Sequence, residues 1–213
     1  MTDSTPIFYS PSEAALYCAG QRFDGWAQIW RPTAAVAGDL ITVTPVEALS
    51  RIARLPGTRQ LPVGVLGPRE ASAEQYALAE ALGQRLGEAG LTLICGGRSG
   101  VMEAVCKGCL EAGGRPIGIL PDEEWQQANP YVAVPLATGL GGARNAVIAR
   151  AAPVLAAIGG GYGTLSEIAF GLRFGRLVLT LLDAPAVEGC IPCPDIPTAM
   201  ERIATHLLKL GEG

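Results

Sequence analysis

The sequence predicts an α/β fold: a doubly wound, mainly parallel Rossmann-like sheet with helices on both faces. Three observations predict it. From residue 62 onward, short apolar runs alternate with segments of helical periodicity, the order that βαβ units require. Most of those runs, such as Val63–Leu66 and Val154–Ile158, are apolar throughout, as strands buried on both faces are. The runs also end in glycine or proline, at Gly67, Gly96-Gly97, Pro121 and Gly159-Gly160-Gly161. Glycine supplies 28 of the 213 residues, which suits tight strand-to-helix turns.

Residues 1–60 read as an N-terminal extension that packs on the core or on a partner subunit. Within it, residues 39–44 predict a short strand and residues 45–54 a short helix. Trp26 and Trp30 sit in a mixed segment, and core filling is the expected role of each. Residues 61–213 read as one Rossmann-like nucleotide-binding domain. Val63–Leu66 is its first strand. A helix over 72–88 places Leu78, Leu82 and Leu86 on one face and ends at Gly90. A strand over 91–95 and a helix over 99–112 follow, the latter closed by Gly113-Gly114. Then come a strand over 117–120, a polar loop over 122–130 and a short strand over 131–136. Next the pattern gives a helix over 143–151, a strand over 154–158, a helix over 164–174 and a strand over 177–182. A proline-rich loop over 185–197 leads to a closing helix over 198–210.

Composition narrows the function. The net charge is −4 and there is no basic run, which argues against nucleic acid as the main partner. No apolar run approaches the ~20 residues of a membrane-spanning helix, and the first 12 residues lack a signal peptide's basic start and apolar stretch; a cytoplasmic location is the default expectation. Two CxxC pairs, Cys106/Cys109 and Cys190/Cys193, are some 80 residues apart, unlike the closer spacing of structural zinc sites. The six cysteines therefore read as small buried thiols, with no metal site. His206, the lone histidine, reads as a surface or packing residue.

Two glycine-rich turns carry the chemistry. Gly96-Gly97-Arg98-Ser99-Gly100 opens one helix and Gly159–Thr164 opens another. Such turns direct free N–H groups and the positive end of a helix at one point, which suits a phosphate. Neither turn is GxxxxGK[ST], which excludes a P-loop, and neither is GxGxxG. Close helix–strand packing explains a single glycine turn equally well. Arg144 falls in the first turn of its helix, where a cation opposes the dipole by about 0.3–1 kcal/mol. A nearby carboxylate or a ligand phosphate would resolve the conflict. Thr164-Leu165-Ser166-Glu167 has the form of a capping box, with Thr164 as N-cap and Glu167 at the third helical position.

Gly96–Met102, then 114–121, then Gly141-Gly142-Ala143-Arg144-Asn145, then Gly160–Glu167 together resemble the LOG-like Rossmann superfamily. That group includes cytokinin-activating phosphoribohydrolases (often labelled lysine decarboxylases), molybdenum-cofactor carrier proteins and relatives of DNA-processing protein A. The resemblance covers residues 62–182. In the phosphoribohydrolases an arginine precedes a PGGxGTxxE motif and acts with its final glutamate. Arg144 and Glu167 stand at those positions, 23 residues apart, which the resemblance implies as a catalytic pair. It implies ligand or phosphate contacts for Gly67, Gly96, Gly97, Arg98, Ser99, Gly100, Met102, Asn145, Gly160, Gly161, Gly163 and Thr164. Three positions depart from the hydrolase pattern. Gly159 replaces the motif proline, Asn145 replaces a lysine, and the first turn is one residue shorter, with Arg98 where a third glycine would stand. The Arg-Asn pair and the GGR turn are more similar to the carrier-related branch.

Two functions follow. In one, a nucleoside 5′-monophosphate sits on the Gly160–Thr164 turn and its N-glycosidic bond is hydrolysed, with Glu167 stabilising the oxocarbenium-like sugar or activating water. In the other, the same pocket holds a phosphorylated pterin, the molybdenum cofactor, or a signalling nucleotide without chemistry. Neither requires a resident cofactor; the molybdenum cofactor is the possible carried ligand. The superfamily also implies a homodimer or larger homo-oligomer, with the helices near Arg144 and Glu167 as contact elements.

Overall fold

The computed structural model describes residues 5–34 and 38–211. Four strands that the sequence left unread come first: β1 (Ile7–Ser10), β2 (Ala15–Cys18), β3 (Gln21–Asp24) and β4 (Ile29–Pro32). They run antiparallel in the order β4-β3-β2-β1, and β5 (Ile41–Val43) closes the other edge beside β1. Each turn places an alanine or a glutamine at positive φ: Ala14, Ala19 and Gln28. The β2–β3 turn, for example, has Ala19 and Gly20 at φ of +50° and +72°, where Asn-Gly is the familiar signal. The predicted helix over 45–54 is α1 (Pro45–Ile52), opened by a capping box between Thr44 and Glu47.

This sheet and the rest of the chain share one core, in which Ile7, Leu16, Phe23 and Val43 join Val63, Leu86 and Leu207. Trp30 packs edge-on against Phe23, ring centroids 5.0 Å apart, and its Nε1–H donates to the Leu208 carbonyl at 2.6 Å. Trp26 corrects the expectation of core filling: it is 61% exposed. Asp24 accepts from the N–H groups of Trp26 and Ala27, which fixes this hairpin tip outward. Arg59 lies over the Trp26 ring at 4.7 Å.

Beyond residue 60 the alternating elements are β6 (Val63–Leu66), α2 (Ala73–Glu88), β7 (Leu93–Cys95), α3 (Val101–Glu111), β8 (Ile117–Leu120) and β9 (Val134–Ala137). They continue as α4 (Arg144–Ala151), β10 (Val154–Ile158), α5 (Tyr162–Arg173), β11 (Leu177–Leu181), β12 (Ile191–Pro192) and α6 (Ile196–Leu207). The strands form one sheet in the order β12-β11-β10-β6-β7-β8-β9, and every pairing is parallel. The two-residue β12 lies in the segment expected to be loop.

The chain enters the sheet at β6, steps outward to β9, then returns to β10 on the other side of β6. Side chains alternate between the faces. Val63, Val65, Ala156 and Ile158 join the core under α2, α3 and α6; Leu66, Leu155 and Ala157 pack with Ile148 of α4 and Ile168 of α5. Helices α2 and α3 meet main chain to main chain. A Cβ at Gly108 would run into the Glu80 carbonyl, and one at Gly83 into that of Val105.

The cysteines are free thiols. Cys95, Cys106, Cys109 and Cys193 are buried, while Cys18 and Cys190 are half-buried. Among the described residues no group of three or more His, Cys, Asp or Glu is placed to hold a metal ion. No helix is long and apolar enough to cross a membrane.

Candidate functional site

Because β6 and β10 are neighbours whose connections leave in opposite directions, a crevice opens beyond their carboxyl ends, where open α/β sheets bind ligands. The cleft there has a volume of about 570 Å³, within the range of small-molecule sites. Gly67 and Arg69 from the β6–α2 loop border it, with Arg98 and Met102 from the β7–α3 region. Asp122 follows β8, Gly141, Gly142, Arg144 and Asn145 start α4, and Gly161, Gly163, Thr164 and Glu167 open α5.

Helix α5 starts earlier than its capping-box signature predicts. Its N-cap is Gly161, and no side chain caps it. Gly159 and Gly160, at φ of +54° and +146°, reverse the chain at once, so the helix begins at Tyr162. Thr164 is therefore its third residue rather than its cap, and lies buried beneath Gly160. Glu167 falls in the second turn, directed at α4 instead of back at the helix start. The first N–H groups of α5, from Gly161 to Thr164, have no partner within the helix.

Glu167 and Arg144 are each 6% exposed. Arg144 Nη1 donates to Glu167 Oε1 at 3.1 Å and also to Asn145 Oδ1, while Nη2 reaches the Gly96 carbonyl at 3.4 Å. The carboxylate thus resolves the clash between Arg144 and its helix dipole. Burial outweighs this pairing on both sides. It pushes the Glu167 carboxyl up to about 7, against the attraction of Arg144, and it lowers the Arg144 guanidinium, against that of Glu167. Arg144 Nε is buried with no partner among the described residues.

Asn145 ties the pair to the glycine turn. Its amide donates to Ser166 Oγ at 2.9 Å and towards the Gly163 carbonyl at 3.4 Å, while its oxygen takes an Arg144 N–H. A lysine, with no acceptor, could not take that N–H, so the departure from the hydrolase pattern has a bracing role. Arg98 acts similarly. It donates to the Gln127 carbonyl at 2.9 Å and to Asp122 at 3.2 Å, holding the β8–β9 loop at the cleft edge.

The glycines divide into two kinds. Gly67, Gly96, Gly97, Gly100 and Gly160 are required by the protein itself. A Cβ at Gly67 would strike Val101, at Gly96 the Arg144 guanidinium, at Gly97 Leu120, at Gly100 the Pro68 and Arg69 carbonyls, and at Gly160 the Thr164 side chain. Of these only Gly67 borders the cleft. Ser99 also lies off it, bonded to the Arg69 carbonyl at 3.2 Å. Gly142, Gly161 and Gly163 border the cleft, have ordinary φ, and would meet nothing within 4 Å if given a Cβ. Arg69, Asp122, Gly141 and Gly142 join the residues anticipated from sequence. Arg69 had a legible signal, since Gly67-Pro68-Arg69 directly follows a strand that ends at the crevice.

Beneath the cleft floor, Cys95 and Cys106 bring their sulfurs within 3.4 Å of each other. The Cys106 thiol and the Gly97 N–H hold the Cys95 thiol below its ordinary value, with help from Arg144; bonding to Cys95 and burial hold Cys106 above its own.

The fold is that of the LOG-like Rossmann superfamily. Within it, the chain belongs to the SLOG cluster4 family, whose model matches residues 60–195. The antiparallel sheet and α1 lie outside that match. An uncharacterized protein of Archaeoglobus fulgidus is 40% identical over 127 residues, covering 60% of this chain and 83% of the relative. The molybdenum cofactor binding protein of the phototrophic bacterium Rippkaea orientalis superposes with a TM-score of 0.65 at 31% identity, covering 69% of this chain and 97% of that one. The molybdenum cofactor carrier protein of Chlamydomonas reinhardtii does so with a TM-score of 0.64 at 32% identity, covering 71% and 99%. DNA processing protein A of Streptococcus pneumoniae, at 18% identity and a TM-score of 0.55 over 66% of this chain and 61% of that one, shares the fold.

Proposed function

We propose that this protein binds and carries a phosphorylated pterin of the molybdenum-cofactor type, its phosphate seated on the N–H groups of Gly161–Thr164. The observation that carries the reading is Gly163, the second residue of α5, beside the N-cap Gly161. A Cβ at Gly163 would meet nothing within 4 Å, and a glycine within a helix costs about 0.5–1 kcal/mol relative to alanine. An anion approaching the main chain supplies the reason. The cleft volume, the free N–H groups and the flanking arginines suit such a ligand, and the likeness to two molybdenum-cofactor proteins supports it. Arg144 and Asn145 hold α4 against α5 so that the turn keeps its shape. Calorimetric titration with metal-free phosphorylated pterin and with the loaded cofactor tests the proposal. Binding that Gly163→Val abolishes is expected; absence of binding by either form would overturn it.

A second reading rests on Glu167. A carboxyl near pH 7 at a cleft wall is suited to proton transfer, as hydrolysis of a nucleoside 5′-monophosphate would require. Release of free base from a nucleoside monophosphate, lost in Glu167→Gln, would favour it over carriage. We propose in addition that the protein self-associates through α4 and α5. Val147 and Leu165 are exposed on these helices, and Leu140 and Tyr162 at their starts.

A further inference from the structure

Three arginines border the cleft, and two of them are committed within the protein: Arg144 to Glu167 and Arg98 to Asp122. Arg69 is different. Among the described residues its guanidinium makes no hydrogen bond, ion pair or ring contact. It leaves the cleft with a surplus positive charge in a chain whose net charge is −4. Its main chain is nevertheless fixed. Ser99 Oγ donates to the Arg69 carbonyl at 3.2 Å, the Val101 N–H donates to the Pro68 carbonyl at 3.1 Å, and Gly100 passes too close to both carbonyls to tolerate a Cβ. With the backbone already fixed, only the side chain remains to be ordered when a ligand binds.

The Arg69 main chain is anchored against the start of α3. The side chain that the β6–α2 connection places against the α5 turn is that of Gln75, in the first turn of α2, which abuts Gly159. We infer that Arg69 holds a second anionic group of the ligand, so that the cleft selects small molecules with negative charge at two separate places. One group sits on the α5 turn and the other at Arg69. A phosphorylated pterin with an anionic dithiolene end belongs to this class, and so does a nucleoside bisphosphate. The inference rests on the proposed seat for a phosphate at α5.

The test compares guanosine 5′-monophosphate with guanosine 3′,5′-bisphosphate, whose base has the same 2-amino-4-oxo edge as a pterin, by calorimetric titration of the full chain. The expected preference for the bisphosphate is about tenfold or more, the scale of one charge-assisted contact. Arg69→Ala should reduce it to about twofold, weakening the bisphosphate about fivefold more than the monophosphate, whereas Arg69→Lys should keep part of it. Gly163→Val should weaken both ligands. Equal binding of the two by the wild type, or equal weakening of both by Arg69→Ala, would overturn the second contact while leaving the phosphate seat standing. Binding of neither would remove the seat and this inference together. An exposed side chain without partners leaves folding untouched when shortened, so an unchanged melting temperature of Arg69→Ala is part of the expected result.

Discussion

At the scale of residues, the two kinds of glycine make opposite predictions. Gly163→Ala places a methyl in open space inside a helix, so stability should hold or rise by up to about 1 kcal/mol, while phosphate-ligand affinity falls. Gly96→Ala drives a methyl into the Arg144 guanidinium; a loss of about 1–3 kcal/mol is expected, together with weaker binding. Urea unfolding and titration of both variants check the pair, and stability that fell equally in both would sink the distinction. The Arg144–Glu167 bridge has a pH signature. The folded chain raises the Glu167 carboxyl from 4.5 to about 7, so it holds that proton more tightly than the unfolded chain does. The resulting stability is present in full below about pH 4.5 and is lost as pH rises through about 7. Glu167→Gln should flatten that decline between pH 5 and 8, read as the difference in urea midpoint from wild type. Arg144→Ala strands a buried carboxylate, and should cost about 3 kcal/mol at pH 8 and less at pH 5.5, where the carboxyl takes up a proton.

Among the elements, the contact of α2 with α3 depends on atoms that are not there. Gly83 and Gly87 of α2 face Gly108 and its neighbours on α3, with carbonyls where Cβ atoms would stand. Gly108→Ala must push the helices apart, and α3 carries both Met102 at the cleft and Cys106 beneath it. The expected result is a loss of about 2–3 kcal/mol, seen as a lower melting temperature, with weaker ligand binding because the β7–α3 turn moves. The elements themselves were largely legible. Continuous apolar runs marked the parallel strands because both faces are covered, and glycines marked their ends. Thr164 misled because a capping box and a buried threonine followed by a pairing glutamate have the same spelling. Only the reversal at Gly159 and Gly160 distinguishes them.

For the whole molecule, self-association through α4 and α5 predicts a sedimentation coefficient above that of a 22.0 kDa monomer. Leu165→Asp, at an exposed position, should return the chain to monomer without lowering its melting temperature. A wild-type monomer at micromolar concentration would count against that interface. The sequence by itself determined the α/β class, the strand order's raw material and the two glycine turns, because local pattern and turn geometry are short-range properties of the chain. It also placed Arg144 and Glu167 in register with a family motif. The four strands over residues 7–32 escaped it, though β5 did not, since those hairpins turn on alanine and glutamine with positive φ. Tertiary structure alone decided which glycines are packed and which are open, that two of the three cleft arginines are already paired, and that Arg69 has no side-chain partner among the described residues. These are facts about neighbours brought together across 23 to 30 residues of chain or more, which no local pattern encodes.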